Sequence, residues 1–118
     1  MDITITDIEK YLEEVKAAIN AGCYRIEMND NRKDNQDLFL DYIISEEKRK
    51  QILLSLEATD FSEIRHNTHR GYEHELLYVF GKNVNLLRRF LPGEEQVSLY
   101  IKFNKLESRY VIVISFHK

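Results

Sequence analysis

Hydrophobic and polar residues alternate most regularly near the end of the chain. Over Gln96 to Phe103, Val97, Leu99, Ile101 and Phe103 fall on one face and Ser98, Tyr100 and Lys102 on the other, the period-two pattern of a half-buried strand. Tyr110 to His117 repeats it. There the bulkier set, Tyr110, Ile112, Ile114 and Phe116, is predicted to face the core, leaving Val111, Val113, Ser115 and His117 for the other side. The two runs predict an antiparallel hairpin with one core face and one presenting face. Facing residues of a hairpin share a face, and the expected core set is odd-numbered on one strand and even-numbered on the other. Opposed residue numbers must therefore sum to an odd value. A short loop centred on Glu107 and Ser108 places Ser115 opposite Tyr100 and His117 one pair further along. A looser turn over Asn104 to Arg109 keeps the faces and draws His117 away.

Upstream, Thr6 and Glu9 form a capping-box pattern, and Ile8, Tyr11, Leu12, Val15 and Ile19 recur at helical spacing until Gly22. These predict an amphipathic helix over Asp7 to Ala21. Cys23 to Met28 and Gln36 to Ile44 read as a second hairpin across the polar stretch Asn29 to Asn35. The competing reading of 37–44 is a helix, since a short apolar run fits either period. Ser45 is a natural N-cap for a helix over Glu46 to Leu56, with Ile52, Leu53 and Leu56 inward and acidic residues in the first turn. Ser62 to Glu75 is polar and reads as a surface loop or short helix. Leu76 to Phe80 reads as a strand ended by Gly81. Asn83 to Glu95 reads as an irregular connection, with Leu86, Leu87, Phe90 and Leu91 docking on the core and Pro92 and Gly93 making the turn. The expected fold class is α+β, two helices packed on one face of a mainly antiparallel sheet that ends in the C-terminal hairpin.

The 118 residues fit one domain, large enough to bury a core of its own. Net charge is only −3, but its distribution is uneven: residues 1–60 carry 14 acidic and 8 basic side chains, residues 61–118 carry 6 and 9, and all four histidines lie in the second part. That split is compatible with a basic face for a polyanion, and equally with an ordinary solvated surface. Cys23 is the only cysteine, which rules out an intrachain disulfide and favours a reducing, cytoplasmic setting. The expectation for its thiol is burial, because nothing nearby in sequence would activate it as a nucleophile. The longest apolar run is too short to span a bilayer, and no targeting pattern is present, so no membrane role is expected.

Six short stretches, in order from about Arg25 to His117, carry a resemblance: Asn29 to Arg32, Ser55 to Glu57, Asp60 with Phe61, Val79 to Lys82, Tyr100 to Lys102, and Ile114 to His117. Together they resemble the MqsR family of type II toxins. The resemblance implies a RelE-like fold over a single domain, 1–118, acting as an mRNA interferase that cleaves without a metal or other cofactor. It also implies two partners, mRNA, met on or off the ribosome, and a cognate antitoxin protein. The family's hairpin tyrosine corresponds to Tyr100, and its terminal basic residue to His117, where other members have lysine. A further family lysine falls on Glu63, with reversed charge, and a family glutamine has no counterpart near Tyr78.

Metal-free RNA cleavage needs a base for the 2′-hydroxyl proton, an acid for the leaving 5′-oxygen and cations over the phosphate. Imidazole exchanges protons near neutral pH, which suits His117. Tyr100 can donate to a phosphate or leaving-group oxygen, and Lys102 completes the catalytic candidates. Lys82, Arg88, Arg89 and Arg109 are candidate RNA-binding cations, and Tyr78 a candidate base-stacking ring. Each has a plainer reading: a histidine near a chain end is commonly solvated, and tyrosine is simply a favourable strand residue. His66, His69 and His74 match no compact metal-site spacing; their loop reads as an RNA or partner surface, or as solvated chain. The alternative from a different class is a non-catalytic module that pairs a protein partner with an exposed sheet edge.

Overall fold

The computed structural model describes residues 3–118 and is an α+β fold. The first helix, α1, spans Ile5–Asn20. Its cap is Thr4 with Asp7, each side chain bonding the other's backbone N–H at 3.1 Å, so the box lies two residues before the expected Thr6 and Glu9. The inward stripe is the expected one, Ile8, Tyr11, Leu12, Val15 and Ile19, with Ala18 added. A Schellman motif closes the helix: Gly22, at φ +75, donates to the Ile19 carbonyl and Cys23 to that of Ala18. That positive φ is cheap only for glycine. Cys23 is exposed rather than buried, because its backbone is committed to the helix end.

The second expected hairpin does not form. Tyr24–Ile26 makes strand β1, Lys33–Asp41 makes helix α2, and only Tyr42–Ile43 remains extended, as β2. The helical reading of 37–44 therefore prevails for most of that stretch, and the fold has three helices rather than two. Helix α3, Glu46–Leu54, starts at Ser45, whose hydroxyl accepts from the Lys48 N–H. As expected, Ile52, Leu53 and Leu56 are buried. A single 3₁₀ turn, Ala58–Asp60, leads into strand β3, Phe61–His66, where a loop or helix was expected.

Strand β4 runs unbroken from Leu76 to Arg88 through Gly81 and pairs with β5, Glu94–Lys105. The expected irregular connection is thus a long hairpin. Its alternation buries Leu86 and turns Leu87 outward, while Phe90 and Leu91 sit exposed in the turn closed by Gly93 at φ +85. Strand β6, Val111–His117, completes the C-terminal hairpin. The sheet order is β1-β6-β5-β4-β2, with β3 also on β4; every pairing is antiparallel except that of β1 with β6.

The register of the last hairpin follows the odd-sum rule only in its outer half, where Tyr100, Ile101 and Lys102 face His117, Phe116 and Ser115. A bulge then intervenes, and Phe103, Asn104 and Lys105 face Val113, Ile112 and Val111. Ile114 is the extra residue. Below it, Val111 and Val113 turn inward to the core; above it, Phe116 does. The expected even-numbered inward face holds for Phe116 and is reversed for Ile112, because one inserted residue switches the side on which alternation falls.

Candidate functional site

His117 lies directly opposite Tyr100, and the two rings stack at 5.3 Å between centroids and 19° between planes. Their other neighbour across the sheet is Gly81, paired with Tyr100, so no β4 side chain flanks the phenol there. His117 Nδ1 lies 2.7 Å from the main-chain oxygen of Lys118. That oxygen accepts only, so Nδ1 is the donor in this contact and Nε2 is not engaged by it. Lys102 stands two residues along β5 on the same face, about 7 Å away by strand rise, between Val79 and Ser115.

Two segments wall this face. The first, leading into α2, is tied down by amides: Asn35 Nδ2 donates to the Glu27 carbonyl at 2.8 Å, and Gln36 Nε2 to those of Met28 and Asn29. Asn35 also continues the sheet. It is 1% exposed, donates to the Ile114 carbonyl at 2.9 Å and accepts from the Phe116 N–H at 2.8 Å. Those are the two groups a further residue of β1 would bond, so a side-chain amide replaces the strand beside the end of β6. The second segment, Asn67 to Glu75, is closed on itself: Glu75 accepts from the amides of Asn67 and Asn104, and His66 Nδ1 meets the Glu73 carbonyl at 3.2 Å.

Between the walls lies an open cleft of about 590 Å³, lined by Arg32, Arg65, His66, His69, Lys102 and Asn104 among others. Burial, and then the neighbouring Arg32 and Arg65 guanidinium groups, hold the Lys102 ammonium below the usual lysine range. The other flank of His117 is mainly acidic, lined by Asp34, Asp37 and Asp41 of α2 together with Lys118, with Asp37 held by Lys33 at 2.8 Å. His117 thus stands between a cationic and a mainly anionic surface.

Of the residues singled out from sequence, Tyr100, His117 and Lys102 come together. The others do not join them. Lys82 points to the opposite face and holds Asp60 at 3.2 Å and the Ser55 carbonyl at 3.1 Å. Arg89 caps the end of α2 through the Leu40 and Phe39 carbonyls, both at 2.9 Å. Arg88 lies beside Tyr42 at the far end of the long hairpin, its Nε buried. Tyr78 packs on the core face, its ring 3.6 Å from that of Tyr11. Arg109 occupies the β5–β6 turn at φ 70, roughly 17 Å along the strand from Tyr100 by its rise. Glu63 is exposed on β3 and pairs with Arg65 at 3.4 Å. The sequence reading did not single out Arg32, Arg65 or Asn35. Two of them are arginines in polar stretches, and no spacing rule links residues so far apart in sequence.

Among the described residues no three His, Cys, Asp or Glu side chains converge as a metal-binding group, and no helix is long and apolar enough to cross a membrane. No family model matches the chain, and a search of the curated proteins gives no match.

Proposed function

We propose that this chain is the toxin of a type II toxin–antitoxin pair, an MqsR-like, metal-independent endoribonuclease acting on mRNA in the cytoplasm and held inactive by a cognate antitoxin. The observation that carries this reading is the stacked pair Tyr100 and His117, with Lys102 on the same face. In the proposed reaction His117 Nε2 takes the 2′-hydroxyl proton, and the 2′-oxygen attacks the adjacent phosphorus. The P–O5′ bond then breaks, and the leaving oxygen receives a proton. The products are a 2′,3′-cyclic phosphate and a 5′-hydroxyl. Tyr100 donates to a phosphate oxygen or to the leaving group, and Lys102 offsets the charge that builds on the phosphorane. The attacking 2′-hydroxyl restricts such chemistry to RNA.

The test is incubation of a long mixed-sequence RNA with purified protein in EDTA, with and without ribosomes, beside the Tyr100→Phe and His117→Ala variants. Discrete fragments ending in cyclic phosphate, reduced at least about 100-fold by His117→Ala, are the expected result. Intact RNA under both conditions refutes the nuclease. Undiminished cleavage by both folded variants refutes the site.

A further inference from the structure

The cleft beside Lys102 carries more positive charge than the protein itself neutralises. Arg32 and Lys102 belong to none of the ion pairs formed among the described residues, and Arg65 has only the long, exposed contact with Glu63. Glu27 is the one carboxylate among the described residues lining the cleft, and it already holds Arg25 at 2.7 Å and the Asn29 amide at 2.9 Å. Such an arrangement of like charges is costly unless an anion sits among them. Burial first, and the two arginines after it, lower the Lys102 ammonium from its ordinary range.

Position identifies the anion. A smaller hollow lined by Arg32, Lys33, Asp34, Asn35, Ser115 and His117, with its one carboxylate flanked by two cations, joins the cleft to the Tyr100–His117 pair, so the two form one groove. Lys102 lies one same-face step along β5 from Tyr100, a displacement comparable to that between successive phosphates of an extended single strand. On the other side of His117, Asp34, Asp37 and Asp41 outnumber Lys118, with Asp37 paired to Lys33 at 2.8 Å, so that flank offers a phosphate less than the three cations of the cleft. We propose that Arg32, Lys102 and Arg65 form a phosphate subsite for single-stranded RNA, holding the phosphodiester next to the one at Tyr100 and His117. The strand is then gripped on the Lys102 side only. The inference rests on the ribonuclease reading for its ligand, but it concerns binding and stands or falls by a separate measurement.

The probe is a fluorescent single-stranded oligonucleotide with 2′-O-methyl sugars, which cannot be cleaved by 2′-oxygen attack. Its affinity is followed by anisotropy across a salt series for the wild type, Arg32→Ala/Arg65→Ala, Lys102→Met and, as a distant control, Arg109→Ala. Loss of one phosphate contact lowers the slope of log affinity against log salt by about 0.7. A slope lowered by up to about 0.7, the value for the one subsite phosphate, is expected for the double variant and for Lys102→Met, with none for Arg109→Ala. An unchanged slope in the folded cleft variants overturns the subsite, as does no binding by the wild type. Equal competition by polyglutamate overturns the assignment to phosphate. Wild-type protein that binds in this way yet never cleaves would sink the nuclease and leave the subsite standing. Cleavage with cleft variants that bind normally would do the reverse.

Discussion

Asn35 is the residue whose loss should be felt most widely for the fewest atoms removed. Its amide makes three hydrogen bonds of 2.8–2.9 Å, to the Glu27 carbonyl, the Ile114 carbonyl and the Phe116 N–H. In Asn35→Ala, the Phe116 N–H and Ile114 carbonyl lose their partners at a buried strand edge. Each such orphaned group costs about 1–3 kcal/mol, and the lower end applies where water can enter. The hollow that borders Asn35 admits some water, so the expected loss is about 3 kcal/mol in all. That is a large share of the roughly 5–15 kcal/mol that holds a domain together. With a urea slope of about 1.5 kcal/mol per molar, the unfolding midpoint falls by about 2 M. Urea titration followed by circular dichroism measures it, and hydrogen exchange at Phe116 locates it. Asn35→Asp should cost at least as much, since it keeps the acceptor for Phe116 but sets a negative charge against two carbonyl oxygens. A loss below about 1 kcal/mol in Asn35→Ala would refute the idea that this amide stands in for a strand.

Two further substitutions separate stability from the proposed chemistry. Lys82→Met removes the contacts to Asp60 and the Ser55 carbonyl and should cost about 1–2 kcal/mol, read from the urea midpoint. RNA cleavage by the folded fraction should stay at the wild-type level, because Lys82 faces away from Tyr100. Tyr11→Phe keeps the ring against Tyr78 and removes a buried hydroxyl that has only the Lys105 backbone near it, without hydrogen-bond geometry, so stability at pH 7 should hold or rise by up to about 1 kcal/mol. Burial pushes the Tyr11 phenol well above its ordinary value of 10.0. A raised folded-state pKa means that the stability it confers is complete below pH 10.0 and is lost as pH rises beyond that. Tyr11→Phe should therefore flatten the alkaline decline, and an unchanged decline between pH 10 and 12 would assign it to other groups.

Alternation sufficed for the final hairpin because β5 is apolar on one side only, so its core face is unambiguous. It failed along β6 from Val111 to Ile114, where four successive aliphatic residues give no parity to choose between. Helix α2 stands in the sequence only as the competing reading of 37–44, for a related reason. Its buried positions are Asn35 and Leu38, so one of the two is a polar residue fixed by distant carbonyls, and no apolar stripe marks the helix. Strand β3 is exposed at four of its six positions, so burial leaves little imprint on its sequence. For the site, the Tyr100–Lys102 face was legible from period two, but Arg32 and Arg65 reach it only through the tertiary fold. Lys82 and Arg89 looked like ligand-binding cations because charge alone does not tell a surface group from one bonded to carbonyls and carboxylates inside the protein.

The bulge links these observations. Without Ile114, the sequence Val111, Ile112, Val113, Ser115, Phe116, His117 would alternate without interruption, and Ser115, Phe116 and His117 would still face Lys102, Ile101 and Tyr100. Pairing alone therefore does not require the extra residue. What Ile114 supplies is a carbonyl on the edge of β6 that accepts the Asn35 amide, a cleft-lining side chain, and the added twist that a bulge imparts to a strand. The Asn35 bonds to Ile114 and Phe116 fix α2 beside the end of β6, and with it both Arg32, just before the helix, and the aspartates along it. An inserted residue with one buried amide thus sets the two charged flanks of His117, basic toward Lys102 and mainly acidic toward Asp37. The asymmetry on which the one-sided grip depends is built into the same contacts that close the edge of the sheet.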